Sequence, residues 1–252
     1  MIVDAWRLAT GTLTAIPVRA PGNVDRPTAG LAMVLAPLAV LPLAGGVFLV
    51  LGLTADIPLY PPVGGALAVG LLALGSRAMH LDGLADTADG LTASYDRERS
   101  LAVMKSGTSG PAGVTAVVIV LLVQAMAFAG LVGDWSTAVV GGIAVCFSRV
   151  ALAWCCSPLS TAARPEGLGR TFVGTVPVAV SAILTVVVGG ILVAWSSYAG
   201  LTLWRPIAGV LLALVVLALL LRRTTRRFGG ITGDVFGAAI ELTLAVLLGS
   251  SA

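Results

Sequence analysis

The chain has 252 residues, 58% of them hydrophobic and 11% charged, where a soluble domain runs at about 45–50% and about 25%. A globule of this size cannot hide such an apolar surplus from water, and the formal charge of +3 rests on fourteen arginines and Lys105 scattered along the chain. A soluble globule, a disordered chain and a nucleic-acid-binding protein are excluded, which leaves a polytopic membrane protein.

In chain order, Met1–Val18 carries Asp4 where a signal peptide has its basic region, and it lacks a clean apolar core, so no signal is expected to be removed. This segment reads as amphipathic, interfacial or re-entrant. A crossing helix needs ~20 mostly apolar residues, and seven spans are expected near 31–53, 58–76, 112–133, 136–158, 173–195, 205–221 and 235–251. The expected fold is an all-α polytopic integral membrane protein, one membrane-embedded domain over 1–252, without internal repeat or linker. Cys146, Cys155 and Cys156 share one apolar segment and read as reduced packing residues.

Lysine and arginine concentrate on the cytoplasmic side of membrane proteins. With the N-terminus inside, thirteen basic residues fall at the cytoplasmic face, only Arg205 at the other, and Arg149 within a span. The long polar stretches 77–110, 159–172 and 222–234 are then all cytoplasmic, as befits a plasma (inner) membrane enzyme of cytosolic substrates. Arg149 and Glu241 are the charges inside spans. At 1.5 Å per residue their depths coincide, and an ion pair between spans four and seven is expected, since such charges are usually paired.

The stretch His80-Leu-Asp82-Gly-Leu-Ala-Asp86-Thr-Ala-Asp89-Gly90, where span two ends, is the most informative. Spacings of four and three put Asp82, Asp86 and Asp89 within about 60° of one helical face. Like charges on neighbouring turns repel by roughly 2–3 kcal/mol per pair at an effective dielectric of about 20. A divalent cation removes that repulsion, and carboxylate oxygens suit magnesium, which completes its shell with substrate phosphates. Gly83 and Gly90 would leave room for a bulky ligand beside the backbone. The plainer alternative is a solvated helix face. His80, across the helix from the triad, is either a hydrogen-bonded interfacial histidine or a substrate contact or general base.

This stretch resembles the signature of the adenosylcobinamide-GDP ribazoletransferase (cobalamin synthase) family. Four further blocks, in the family's order, carry the same resemblance: Leu13-Thr-Ala-Ile-Pro17-Val18; Arg99-Ser-Leu-Ala-Val-Met104-Lys105; Ala163-Arg164-Pro165-Glu166-Gly167-Leu168-Gly169; and Gly229-Gly230-Ile-Thr232-Gly233-Asp234-Val-Phe-Gly237-Ala238. Two places depart from the pattern. Ser106-Gly-Thr108-Ser-Gly-Pro stands where the family has an acid, and Leu244 where a glutamate often follows.

The resemblance implies a transferase that joins adenosylcobinamide-GDP to α-ribazole or its 5′-phosphate and releases GMP. It implies that Asp82, Asp86 and Asp89 hold magnesium at the pyrophosphate, with His80 beside them. Lys105 and Arg164 are candidates to neutralise phosphate oxygens, or serve only as topological signals. Gly233 and Asp234 would reach the same pocket, although Gly229, Gly233 and Gly237 also have the spacing of close-packed membrane helices. Arg222, Arg223, Arg226 and Arg227 read as an anchor for anionic lipid. The expected partners are the GDP-activated corrinoid, α-ribazole and the bilayer, and self-association is compatible with the sequence. Two rivals are a CDP-alcohol phosphotransferase-like enzyme, whose continuing aspartate pattern residues 86–100 lack, and a cation transporter, whose acids are usually placed near the midplane with repeat symmetry.

Overall fold

The computed structural model describes residues 1–57, 59–165 and 167–251, and for Leu168 the backbone alone; Glu166 of the Ala163–Gly169 block lies outside the described residues. The described residues form helices α1 (Ile2–Leu13), α2 (Arg26–Ala39), α3 (Leu41–Asp56), α4 (Pro61–Gly75), α5 (Met79–Ala93), α6 (Arg97–Val103), α7 (Pro111–Gly130), α8 (Trp135–Ser148), α9 (Val150–Cys155), α10 (Leu168–Phe172), α11 (Val178–Tyr198), α12 (Trp204–Phe228) and α13 (Gly233–Ser251). Among them, six helical stretches are long and apolar enough to cross a membrane, or seven if the bent pair α4–α5 counts as one. The all-α polytopic membrane fold expected from composition is the fold observed.

Local signals set the boundaries. Asp25 caps α2 by accepting from the Thr28 amide, with a proline in the first turn. Asp134 and Thr137 form a reciprocal capping box on α8, and the Thr137 amide holds the exposed Asp134 carboxyl below the usual carboxylate range. Prolines open α4 and α7, where a missing N–H costs nothing. Gly229, left-handed at φ 75°, ends α12.

Three expected boundaries are corrected. The first span starts at Arg26 rather than near 31 and is jointed at Val40 between α2 and α3. The fifth starts at Val178 rather than 173, because Gly174 takes φ 75° and Pro177 precedes the first turn. The expected polar loop 222–234 is mostly helix: α12 carries Arg222, Arg223, Arg226 and Arg227 on its last turns.

The largest departure lies between α4 and α5. The aspartate stretch, read as the place where span two ends, forms a helix of its own, and α4 and α5 meet at 90°. Arg77 (φ 56°) and Ala78 (φ 55°) are both left-handed, at a cost of about 1–2 kcal/mol each for residues with a Cβ. The segment after α1 secures the bend: the Ala15 amide donates to the Gly75 carbonyl at 2.6 Å, and Arg77 Nη2 donates to the Gly11 carbonyl at 2.6 Å. The amphipathic α1 thereby braces this corner. It buries Ala5, Ala9 and Leu13 and leaves Ile2, Val3 and Trp6 exposed.

The core is built from α3, α8 and α13 with small residues between them, and α5 packs on α13 and α7. The aspartate helix is thus held by two long helices rather than projecting into solvent.

Candidate active site

The site begins with two glycines. A Cβ on Gly237 of α13 would sit 2.7 Å from the His80 carbonyl oxygen and 3.0 Å from His80 Cα. A Cβ on Gly83 of α5 would sit 2.6 Å from the Asp234 carbonyl oxygen. The backbones of α5 and α13 therefore touch, as in close-packed membrane helices. The space at Gly83 is filled by α13, and the space at Gly90 by Met104 and Phe228. The expectation that these two glycines make room for a ligand is corrected: they make room for protein.

That contact brings Asp234 to Asp82 and Asp86. Asp82, Asp234 and Asp89 all bear electrostatically on Asp86, and Arg164 and Asp82 both bear on Asp234. Asp82 is exposed and Asp86 half-buried. Asp234 accepts from the Thr232 hydroxyl at 3.1 Å. Beside Asp234 lies a cavity of about 160 Å³ lined by Arg164, Gly167, Gly169, Thr232 and Gly233. It opens at the N-terminus of the nineteen-residue α13, whose free amides and dipole favour an anion.

Asp89 leaves this group. Its Oδ2 accepts from the Gly110 amide at 2.6 Å and its Oδ1 from the Gly113 amide at 2.8 Å, and the residue is 6% exposed. Both oxygens thus serve the first turn of α7, a charge-assisted cap from another helix. A Cβ at Gly110 would stand 2.6 Å from Asp89 Oδ1, so only glycine admits the carboxylate there. The segment that lacks the expected acid after Lys105 supplies backbone donors instead.

His80 also leaves the group. It is 5% exposed, turned to the interior, with Nδ1 at 3.7 Å from Glu241 Oε1 and neither ring nitrogen hydrogen-bonded. The Glu241 carboxylate accepts from the Gln124 side chain at 2.8 Å. Arg149 lies within electrostatic reach of Glu241 but donates to Ser148 Oγ at 2.8 Å and to the Val145 carbonyl at 3.1 Å. The expected Arg149–Glu241 ion pair is therefore replaced by a buried polar cluster joining α5, α7, α13 and the α8–α9 junction; among the described residues no direct contact closes that pair.

Two loops are zipped together above the site. Ala162 and Ile231 form a parallel bridge: the Ala163 amide donates to the Ile231 carbonyl at 3.0 Å and the Ile231 amide to the Thr161 carbonyl at 2.7 Å. Gly230, at φ 156°, passes so close to Thr161–Ala163 that a side chain would not fit. Arg164 is thereby set beside Asp234, and its Nη2 donates to the Leu101 carbonyl at 2.7 Å. Lys105 is exposed, one residue beyond the buried Met104. Sequence reasoning missed Arg97, whose Nε donates to the Phe228 carbonyl at 2.7 Å and Nη2 to the Ala163 carbonyl at 2.6 Å, clasping both loops. It also missed Arg26, which donates to the carbonyls of Arg170 and Val173 at 3.0 Å each. No residue-type signal marks either, because their partners are backbone carbonyls.

The donor set suits a hard divalent cation in one respect: Asp82 and Asp86 have no hydrogen-bond or ion-pair partner among the described residues and repel each other. No three His, Cys, Asp or Glu side chains among the described residues converge as a closed cage. A site with one or two carboxylates and room for phosphate oxygens and water is the kind magnesium uses.

A family model described as cobalamin-5-phosphate synthase matches residues 5–252. The chain is 52% identical, over 97% of its length and 96% of the relative's, to a protein from a Nocardioides species named adenosylcobinamide-GDP ribazoletransferase. Proteins of the same name from Frankia casuarinae (37% identical, over 98% and 94% of the two chains) and Pseudomonas putida (35%, over 96% of each) are also similar. No solved structure matches the chain. With its aspartate helix locked against α13 and with matches along nearly its whole length, the chain belongs to the cobalamin-5-phosphate synthase family of membrane enzymes.

Proposed function

We propose that this chain joins adenosylcobinamide-GDP to α-ribazole or its 5′-phosphate and releases GMP, with the chemistry at the junction of α5, α13 and the Arg164 loop. The observation that carries this reading is the convergence of Asp82 and Asp86 on Asp234 beside Arg164 and the start of α13. A pyrophosphate needs positioning and charge neutralisation there, and little covalent help. The guanidinium of Arg164 and the first amides of α13 bind phosphate oxygens. Exposed Lys105, at the end of α6, adds a mobile charge for the GDP side. Asp82 and Asp86 hold magnesium, which when bound neutralises pyrophosphate charge and eases departure of GMP.

In this reading Asp234, whose carboxylate lies within electrostatic reach of Arg164, takes the proton of the attacking ribose hydroxyl. His80 acts from beneath as a positioning residue, its ring facing Glu241 of α13 with Nδ1 at 3.7 Å from Oε1. Asp89 positions α7 in the same sense.

The loop-bearing end of the bundle is read as cytosolic and the membrane as the plasma (inner) membrane. Arg26, Arg97, Arg164 and Arg227 all donate to backbone carbonyls at that end, which agrees with the excess of basic residues on cytoplasmic faces.

The test incubates membranes containing the full chain with adenosylcobinamide-GDP, α-ribazole 5′-phosphate and magnesium, and measures GMP. Release that requires both substrates is the expected result. No release, or turnover of a CDP-linked alcohol in its place, would overturn the proposal.

A further inference from the structure

A second cavity, unrelated to the carboxylates, runs along the outside of α12. It has a volume of about 600 Å³, within the range of about 300–1,000 Å³ typical of ligand sites. One wall is a single stripe of α12: Leu214, Leu217 and Leu221, then Arg222 and Arg226 one turn apart at its mouth. The other wall is Trp154 of α9, whose indole N–H is already satisfied by the Thr185 hydroxyl at 3.0 Å, so the ring presents only an apolar face. Hydroxyls of Ser160 and Thr225 line the same mouth.

The order of these groups is the order of a phospholipid. From Leu214 to Arg226 the stripe is about 18 Å long at 1.5 Å per residue, close to half of a ~30 Å hydrocarbon core. Its leucines lie toward the middle of an apolar helix and its arginines in the last turns, at the loop-bearing end. No acidic side chain lines the groove, and neither arginine is in an ion pair among the described residues. The other two arginines of the run differ. Arg227 donates to the Leu91 carbonyl at 3.2 Å and stacks on Tyr95, and Arg223 is exposed off the groove. Two positive charges are therefore aimed at one mouth, whereas a general surface anchor would use all four alike.

We propose that this groove binds one anionic phospholipid, with its phosphate between Arg222 and Arg226 and an acyl chain along Trp154, Leu214, Leu217 and Leu221. The site is independent of the proposed chemistry. The full chain, purified in neutral detergent, is titrated with dioleoylphosphatidylglycerol or dioleoylphosphatidylcholine, and bound lipid is counted by native mass spectrometry. One phosphatidylglycerol should be retained in preference to phosphatidylcholine. R222Q or R226Q should each weaken it about fivefold, and the pair about twenty-five-fold, at the strength usual for one arginine at an anionic surface. R223Q should leave it unchanged. A218W, which fills the groove while keeping both arginines, should also release the lipid. Equal loss in R223Q, equal retention of phosphatidylcholine, retention in A218W, or displacement by millimolar inorganic phosphate would each overturn the proposal. The double variant enters the comparison at a melting temperature matching wild type; where it does not, A218W and R223Q decide the question.

Discussion

Asp89→Asn separates two readings of the aspartate triad. In the first, all three acids hold metal and their asparagine variants are equally inactive and equally stable. In the second, Asp89 is a cap for α7: its two oxygens accept amides of Gly110 and Gly113 at 2.6 and 2.8 Å, and the side chain is buried. A hydrogen bond to a charged group contributes about 1.5–3 kcal/mol, and an unpaired buried donor costs a further 1–3 kcal/mol or so. Asparagine keeps one acceptor and turns an N–H₂ toward the other amide, so the loss should be about 2–4 kcal/mol. For a chain of this length each kcal/mol moves the melting temperature by about 2–4 °C. Thermal unfolding of purified protein should therefore show a drop of about 5–15 °C for Asp89→Asn, against less than about 2 °C for Asp82→Asn, whose exposed carboxylate holds no hydrogen bond. An Asp89→Asn protein that melts with wild type and yet is inactive would refute the capping argument and return Asp89 to the metal.

Other expectations rest on the same contacts. Gly237→Ala places a methyl 2.7 Å from the His80 carbonyl oxygen; α5 must move away from α13, and the variant should lose activity with a stability cost of about 1–3 kcal/mol, measured by unfolding and GMP release. Arg97→Ala frees the Phe228 and Ala163 carbonyls, so trypsin should cut the Arg170–Thr171 bond faster than in wild type, with Arg97→Lys in between. Gln124→Leu leaves the Glu241 carboxylate buried without its donor, a loss of about 2–4 kcal/mol, and Glu241→Gln in that background should recover part of it, as a double-mutant cycle on melting temperatures would record.

The membrane class, the order of the spans and the arginine-rich end were legible in the sequence because they depend on runs of about twenty residues, which composition reports directly. The acid stripe was legible too, since i, i+3 and i+4 spacing is local. What escaped was set by partners distant in sequence. The right-angle turn at Arg77–Ala78 depends on Ala15 and Gly11, more than sixty positions away. Asp89 looked like its two neighbours until the amides of Gly110 and Gly113 met it, and backbone amides have no sequence signature. His80 lies across the helix from Asp82, and its neighbour is Glu241, the residue that coincident depth and the usual pairing of charges inside spans gave to Arg149. Depth along two helices fixes height, whereas azimuth decides which side chains touch. The Arg164 and Asp234 motifs were legible as separate blocks, and only the Ala162–Ile231 bridge shows them as one wall.

The most direct measurement is calorimetric titration of adenosylcobinamide-GDP into the full chain, with and without magnesium, in wild type, Asp82→Asn and Asp86→Asn. Wild type should bind at least about tenfold more tightly with magnesium, a coupling of about 1.4 kcal/mol, and both variants should bind at the magnesium-free level under either condition. Magnesium-independent binding in wild type, or full magnesium dependence in both variants, would contradict the proposal that these carboxylates would hold magnesium for the pyrophosphate.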